Sequence, residues 1–167
     1  YPENQVLTPP SLFMLGNAKA ALGEHEEAKK DYQRLFDMFP KSDLIDNAVL
    51  SFAEALHAQG KSQDAVTYLM KHVAKNPGSS AMPSIYFKIA DLYRGVLAKP
   101  DSAIIYFDKV LNFPDHFLYS AAGYSAGKLY ASAGLDEKAI EAYSKVKKEN
   151  IEYFRAAQGD IGAIKAK

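Results

Sequence analysis

The sequence contains no cysteine, no excess of either charge and no long apolar run. Without cysteine, the chain can form no disulfide, no thiolate metal site and no cysteine nucleophile. Basic and acidic residues are equal at 20 each, so the positive surface of nucleic-acid binders and anionic-membrane binders is not expected. No stretch approaches the roughly 20 apolar residues of a membrane-spanning helix. Direct membrane insertion is therefore not expected either.

What the chain does contain is enough apolar side chain to fold. Hydrophobic residues make up 48% of its 167 residues, which predicts a substantial core and argues against disorder. The N-terminus shows neither an initiator methionine nor a signal-peptide pattern. We therefore expect a fragment of a longer protein, with residues 1–167 forming one repeat domain.

The sequence of residues 11–40 predicts two helices joined by a turn. Apolar residues of the first helix recur at helical spacing: Leu12, Leu15, Ala18 and Ala21. After a turn at Gly23 and Glu24, the second helix has one apolar face: Ala28, Tyr32, Leu35 and Phe36. Pro40 ends this helix because its ring cannot continue a helical backbone. The unit is a helical hairpin.

The same hairpin returns three times with a period of 37 residues. Three closing prolines have this spacing: Pro40, Pro77 and Pro114. So do four small residues of the first helices: Gly16, Ala53, Ala90 and Gly127. Each second helix has an alanine (Ala28, Ala65, Ala103, Ala139) and, four residues later, a large residue (Tyr32, Leu69, Phe107, Tyr143). The predicted repeats are 9–45, 46–82, 83–119 and 120–150; the third turn has Lys99 and Pro100 instead of glycine.

This pattern resembles the tetratricopeptide repeat family. The residues that match in the first copy are Leu15, Gly16, Gly23, Ala28, Tyr32 and Pro40, and those in the fourth are Gly127, Tyr130, Gly134, Ala139 and Tyr143. The resemblance covers about residues 9–150 and implies an all-α, right-handed solenoid of stacked antiparallel hairpins. The family period is about 34 residues, so the repeats here are longer. Longer repeats resemble the envelope-associated branch of bacterial proteins with this motif, which gives the bacterial periplasm or cell envelope as the expected location and the cytoplasm as the alternative.

The resemblance also implies a concave groove lined by the first helices. Its expected lining is the fifth, ninth and twelfth residue of each repeat. The fifth positions are Phe13, Leu50, Phe87 and Tyr124; the ninth are Asn17, Glu54, Asp91 and Lys128; the twelfth are Ala20, His57, Arg94 and Ala131. Regularly spaced aromatic side chains suit a peptide or protein segment as the occupant. The alternative is that these side chains pack on neighbouring helices and complete the core.

Two binding modes receive less support. Capture of a terminal carboxylate in this family needs lysine at the fifth place and asparagine at the ninth; Asn17 fits, but Phe13 stands in the lysine position. Stacking of single-stranded nucleic acid on tyrosines needs accompanying basic charge, which the chain lacks. We expect a protein or peptide partner and no nucleic acid.

No constellation of catalytic or metal-binding residues is evident. The histidines fall in different repeats, without an HExxH pair: His25, His57, His72 and His116. The prediction is a non-enzymatic binding scaffold without metal or cofactor.

The alternative prediction is a targeting, regulatory or self-assembly module of a larger protein. Residues 151–167 form a further apolar helix, with Ile151, Phe154, Ala157, Ile161 and Ile164. This helix is either a cap or the start of a fifth repeat, and its apolar residues favour the second. Self-association through the ends, around Ile161 and Ile164, is a further alternative.

Overall fold

The computed structural model describes residues 7–166, in which every regular element is an α-helix. The nine described helices are α1 (Pro9–Ala21), α2 (His25–Met38), α3 (Ile45–Ala58), α4 (Ser62–Lys75), α5 (Met82–Arg94), α6 (Pro100–Val110), α7 (Tyr119–Ser132), α8 (Asp136–Ser144) and α9 (Ile151–Lys165). The predicted all-α class of helical repeats is confirmed. Tyr1 and Pro2 stand 38 residues before Phe39 and Pro40, a spacing that predicts the tail of an upstream repeat, and this prediction lies outside the described residues.

The first eight helices pair at the positions of the four sequence repeats. Helix α1 packs on α2, α3 on α4, α5 on α6, and α7 on α8. Turns of three to five residues join the two helices of each pair. Connections this short produce antiparallel helical hairpins.

The chain divides into two compact units, Tyr1–Ser79 and Ser80–Lys167. In the first unit, α3 packs on both α1 and α2, which joins the two hairpins. In the second unit, α7 packs on α6, and α9 packs on both α7 and α8. The expectation of one domain over residues 1–167 stays a prediction.

Prolines follow the ends of the second helices. The C-cap residues of α2 and α4 are Phe39 and Asn76, each directly before a proline. Because proline disfavours the helical conformation of the preceding residue, both helices end where the sequence pattern predicts. Helix α6 already ends at Val110, and residues of its C-terminal turn separate it from Pro114.

Glycine supplies a left-handed backbone at three of the four hairpin turns. The φ angles of Gly23, Gly60 and Gly134 are +82°, +77° and +73°. After each glycine, the next backbone N–H donates to a carbonyl five residues back, for example Lys61 N to Leu56 O at 2.9 Å. This bond closes the C-terminus of the first helix, as in a Schellman motif.

The third turn reverses the chain without a left-handed glycine, because Gly95, its first residue, has a φ of −82°. Ala98 has a φ of +48° and is the only described non-glycine residue with positive φ. Lys99 N donates to Tyr93 O at 2.8 Å, and Pro100 begins α6. The left-handed conformation costs an alanine roughly 1–2 kcal/mol, so this turn is strained where the other three are relaxed.

The small residues of the first helices lie where a second helix comes closest. A Cβ atom on Gly16 would be 2.6 Å from the Tyr32 ring, and one on Gly127 would be 2.5 Å from the Tyr143 ring. The second and third repeats have alanine at the small position, and Leu69 and Phe107 take the place of the tyrosine. Glycine thus accompanies tyrosine, and alanine accompanies leucine or phenylalanine.

The alanines of the second helices complete the same contacts. All four of them, Ala28, Ala65, Ala103 and Ala139, have no exposed surface. The large residues one helical turn later, Tyr32, Leu69, Phe107 and Tyr143, are at most 1% exposed. These eight positions belong to the buried core, as the sequence pattern predicts.

The last helix is seated on the fourth hairpin through a few apolar residues. Ala157 and Ile161 are buried in a cluster with Tyr143 and Val146, and Ile164 is half-buried there. Ile151, at the start of α9, is 60% exposed. Helix α9 packs on α7 and α8 as α3 packs on α1 and α2, and whether it caps the array or begins a fifth repeat stays a prediction.

We expect Gly127→Ala to destabilise the protein by roughly 1–3 kcal/mol, because the new methyl group overlaps the Tyr143 ring. Tyr143→Leu in the same chain should recover part of this loss, since Ala53 and Leu69 form the corresponding pair in the second repeat. Thermal melting of both single variants and of the double variant gives the coupling free energy between positions 127 and 143. Gly159→Ala is the control: nothing lies within 4 Å of its Cβ position, so the helix should gain about 0.5–1 kcal/mol. Additive effects at positions 127 and 143 would contradict the proposed contact.

At the turns, Ala98→Gly and Gly60→Ala should have opposite effects. Glycine at 98 relieves the positive φ angle and should stabilise the protein by about 0.5–1 kcal/mol after its entropic cost. Alanine at 60 introduces the same strain and should cost about 1 kcal/mol, although no atom lies within 4 Å of its Cβ position. The measurement is the urea midpoint of each variant. A loss of stability in Ala98→Gly would show that the third turn is not strained.

Candidate functional site

The fifth-position side chains are half-buried against the second helix of their own hairpin. Ring centroids lie 6.5 Å apart for Phe13 and Tyr32, 5.3 Å for Phe87 and Phe107, and 5.7 Å for Tyr124 and Tyr143. Leu50, the aliphatic member of the series, is also half-buried. Each of these side chains packs on the core with one part and keeps another part accessible. Each side chain therefore fits both sequence-based interpretations in part, because one portion completes the core and another portion remains accessible to a partner.

The ninth-position residues are polar and more varied in their contacts. The Tyr32 hydroxyl donates to Asn17 Oδ1 at 2.6 Å. Asp91 forms an ion pair with Arg94, one helical turn away. Glu54 and Lys128 are exposed. Burial raises the pKa of Tyr32 to about 12, so its hydroxyl remains a donor that fixes the Asn17 amide at neutral pH.

The twelfth-position residues also contact their own hairpin. His57 Nδ1 and Ser62 Oγ lie 2.9 Å apart, which links the end of α3 to the start of α4. The Arg94 guanidinium lies 5.7 Å from the centroid of the Phe107 ring. Phe87 meets the same ring edge-on, so the structure brings Phe87, Asp91 and Arg94 together around Phe107. The small members, Ala20 and Ala131, are half-buried.

Apart from the two alanines, the ten residues predicted to bind a partner fall into two sets. Phe13, Asn17, Leu50, Glu54 and His57 lie in the first unit, and Phe87, Asp91, Arg94, Tyr124 and Lys128 lie in the second. Within the first unit, Tyr32 connects Phe13 and Asn17 through its ring and its hydroxyl. That these residues bind a partner stays a prediction.

Sequence reasoning missed two residues of α9 that adjoin the site in the second unit. The Tyr153 ring lies 5.7 Å from that of Tyr124. Burial and the nearby Asp160 carboxylate together raise the pKa of Tyr124 above its ordinary value. Helical spacing could have identified Tyr153, because it lies one helical turn before Ala157 and shares the side of α9 that packs on the fourth hairpin. Tyr124 is therefore held between α8 and α9.

Comparison with known proteins identifies the repeat. Residues 11–42 match the model of the tetratricopeptide repeat family. A crystal structure of MamA superposes with a TM-score of 0.65 at 22% identity, covering 93% of this chain and 80% of that one. Residues 11–42 of this chain thus match one tetratricopeptide repeat, and the chain shares the fold of tetratricopeptide repeat proteins over most of its length.

Other repeat proteins of known structure share the fold at low identity. A tetratricopeptide repeat protein from Parabacteroides merdae gives a TM-score of 0.68 at 17% identity, covering 95% of this chain and 60% of the other. The TPR domain of P58(IPK) gives 0.53 at 16% identity, covering 96% and 47%. Such identities show a common fold, and no curated protein sequence matches the chain closely enough to count as a relative.

Besides His57, two further histidines have side-chain contacts within the fold. His72 Nε2 lies 3.4 Å from Asp46 Oδ1, and the Ser79 hydroxyl donates to the same carboxylate at 2.9 Å. His116 Nε2 lies 3.3 Å from Ser84 Oγ. Among residues 7–166, no three or more carboxylates and imidazoles are grouped as a metal site. No helix in that range is long and apolar enough to span a bilayer.

Burial of His72 makes the stability of the first unit depend on pH. Burial lowers its pKa below the ordinary 6.5, and the Asp46 carboxylate only partly offsets this. The unfolded chain therefore binds the proton at higher pH than the folded chain, so the stabilisation is complete above about pH 6.5 and is lost as the pH falls below it. His116 is shifted in the same direction by burial.

We expect the thermal midpoint to fall between pH 7 and pH 5, and to fall less in His72→Gln, which cannot titrate. Asp46→Asn should steepen the fall, because it removes the charge that supports the protonated imidazole. Melting curves over this range, monitored by circular dichroism, give the comparison. Parallel pH profiles for the wild type and His72→Gln would show that His72 does not contribute.

Proposed function

We propose that this chain is a non-enzymatic scaffold whose first helices bind a peptide or protein segment. Tetratricopeptide repeat proteins generally act as protein–protein interaction scaffolds and are typically not enzymes. The single observation that supports the proposal is the series of fifth-position aromatic side chains, each half-buried on a ring of the second helix. Side chains held in this way lose little conformational freedom on binding, so their apolar surface contributes more to affinity.

Polar groups beside these aromatics would orient the bound segment. The Asn17 amide is fixed by Tyr32, while Lys128 is exposed beside Tyr124 along α7. An amide that already accepts one hydrogen bond keeps its N–H groups for a peptide carbonyl. Aromatic anchors with a few placed polar groups are the usual composition of a binding surface.

A self-assembly module is the second candidate function. Ile161 and Ile164, expected from sequence to mediate it, pack on the fourth hairpin, and its support is instead the exposed apolar surface at the start of α9, where Ile151 is 60% and Tyr153 is 38% exposed. A second copy would bury this surface by packing a helix on α9. Light scattering over a range of concentrations separates the candidates, because a strictly monomeric protein would exclude self-assembly.

The double variant Phe87→Ser/Tyr124→Ser should weaken binding by about tenfold or more, because it removes two aromatic anchors. Peptides would be selected on the wild-type chain from a random displayed library, and their Kd values measured by fluorescence anisotropy. The control is Phe117→Ser/Val96→Ser, which removes side chains that are 75% and 65% exposed outside the predicted groove. If this control loses as much affinity as the test variant, or the test variant loses none, the groove proposal fails.

Folding must be checked separately, since Phe87 and Tyr124 also pack on the core. Helical circular dichroism and the thermal midpoint are measured for every variant. If the double variant is unfolded, Lys128→Glu provides the test, because an exposed charge reversal leaves the core intact. It should change the affinity for charged peptides several-fold, and an unchanged affinity for all selected peptides would count against the groove.

A further inference from the structure

The second unit has a cleft on the side of its second helices. The cleft encloses about 550 Å³ and is lined mainly by α6 and α8, with Tyr130 of α7 between them. None of the residues predicted to line the first-helix groove lines this cleft. The cleft is therefore a different surface from the site proposed above.

The carboxylates of the cleft are already engaged. Asp108 Oδ2 accepts a hydrogen bond from the Tyr130 hydroxyl at 2.6 Å. Glu141 pairs with Lys145 at 3.2 Å. Burial, followed by the bond to Asp108, raises the pKa of Tyr130, so the phenol stays protonated and keeps donating at neutral pH. The negative charges of the cleft thus have partners within the protein.

Two lysines of the cleft are held by aromatic rings instead of carboxylates. Lys109 Nζ lies 4.6 Å from the ring centroid of Tyr106 and 5.3 Å from that of Tyr86. Lys138 Nζ lies 5.7 Å from the ring centroid of Tyr130. Within the described chain, no ion pair is recorded for either ammonium group. A ring attracts a cation without neutralising it, so both ammonium groups are positioned and retain their charge.

The cleft also has an apolar part. Ile105 lines it with 56% of its surface exposed, and Leu111 and Ala142 lie beside it. An isoleucine this exposed gains free energy when an aliphatic group covers it. Three lysines and two carboxylates line the cleft, which leaves it with a net positive charge beside an apolar floor, and the cleft is larger than an inorganic anion requires.

The position of Lys109 is basic in all four repeats. The residue six places after the second-helix alanine is Arg34, Lys71, Lys109 and Lys145. In the first unit, Lys71 lines the clefts of about 280 Å³ and 260 Å³ beside α4. The same register position thus supplies a cation to the second-helix clefts of both units.

We propose that the cleft between α6 and α8 binds an acidic peptide segment, with a carboxylate placed between Lys109 and Lys138 and an aliphatic side chain placed on Ile105. The charge complementarity selects the acidic group. The exposed Ile105 and the size of the cleft select a peptide over a small anion. This site would act alongside the first-helix groove and does not depend on it.

The test uses a fluorescein-labelled, end-blocked octapeptide of alternating glutamate and leucine, titrated with the wild-type chain in anisotropy measurements. Lys109→Gln and Lys138→Gln should each weaken binding roughly threefold, and the double variant about tenfold, as expected for partly exposed ion pairs. Lys147→Gln is the matched control, because Lys147 lies 5.6 Å from the Tyr119 ring but does not line the cleft. Ile105→Ser should also weaken binding.

Three further arms identify the ligand chemistry. The same peptide with glutamine in place of glutamate should bind at least tenfold more weakly, and equal binding would overturn the role of the carboxylate. Serine in place of leucine should weaken binding several-fold, and no change would overturn the apolar contact. Ten millimolar inorganic phosphate should leave most of the peptide bound, and full displacement would indicate a small-anion site and overturn the proposal.

Two variants separate this proposal from general charge attraction and from the groove. An effect of Lys147→Gln equal to that of Lys109→Gln would show non-specific attraction and overturn the proposal. Phe87→Ser/Tyr124→Ser should retain binding of the acidic peptide. Loss of binding in that folded variant would assign the peptide to the first-helix groove and likewise overturn the cleft site.

Discussion

The close approach between a ring of the second helix and a small residue of the first helix is the contact on which this structure depends. In the first and fourth repeats the ring is a tyrosine, and the small residue is a glycine whose Cβ atom would lie within 2.6 Å of that ring. The approach places the ring in the core, where it is at most 1% exposed. Because dense cores tolerate added atoms poorly, this contact fixes the distance between the helices.

The same rings support the candidate site. Tyr32, Phe107 and Tyr143 each contact the fifth-position aromatic of their own repeat. The core and the proposed binding face therefore share residues, and a change in helix packing would also move the binding side chains. The cleft of the second unit uses rings differently, since Tyr106 and Tyr130 lie under the ammonium groups of Lys109 and Lys138. In both places an aromatic ring positions a side chain that stays accessible.

Sequence periodicity predicted the helices and most of the core, because the repeat records which positions must be small and which must be large. It could not predict the third turn in detail, where Ala98 adopts the conformation that glycine has elsewhere. It also missed Asp31, which is 2% exposed and pairs with Lys19 at 2.6 Å. In the sequence Asp31 stands among the charged residues of α2, and only the packing of α1 on α2 buries its carboxylate.

The sequence by itself determined the all-α repeat class, the helix boundaries near the prolines and the positions of helix contact. These follow from local backbone preferences and from side-chain size, which a linear pattern contains. The tertiary structure alone decided which accessible side chains are held in place, such as Tyr124 between Tyr143 and Tyr153, and which ammonium groups lie over aromatic rings, such as that of Lys109. Those properties depend on distances between atoms of different helices, and such distances exist only after the hairpins have packed.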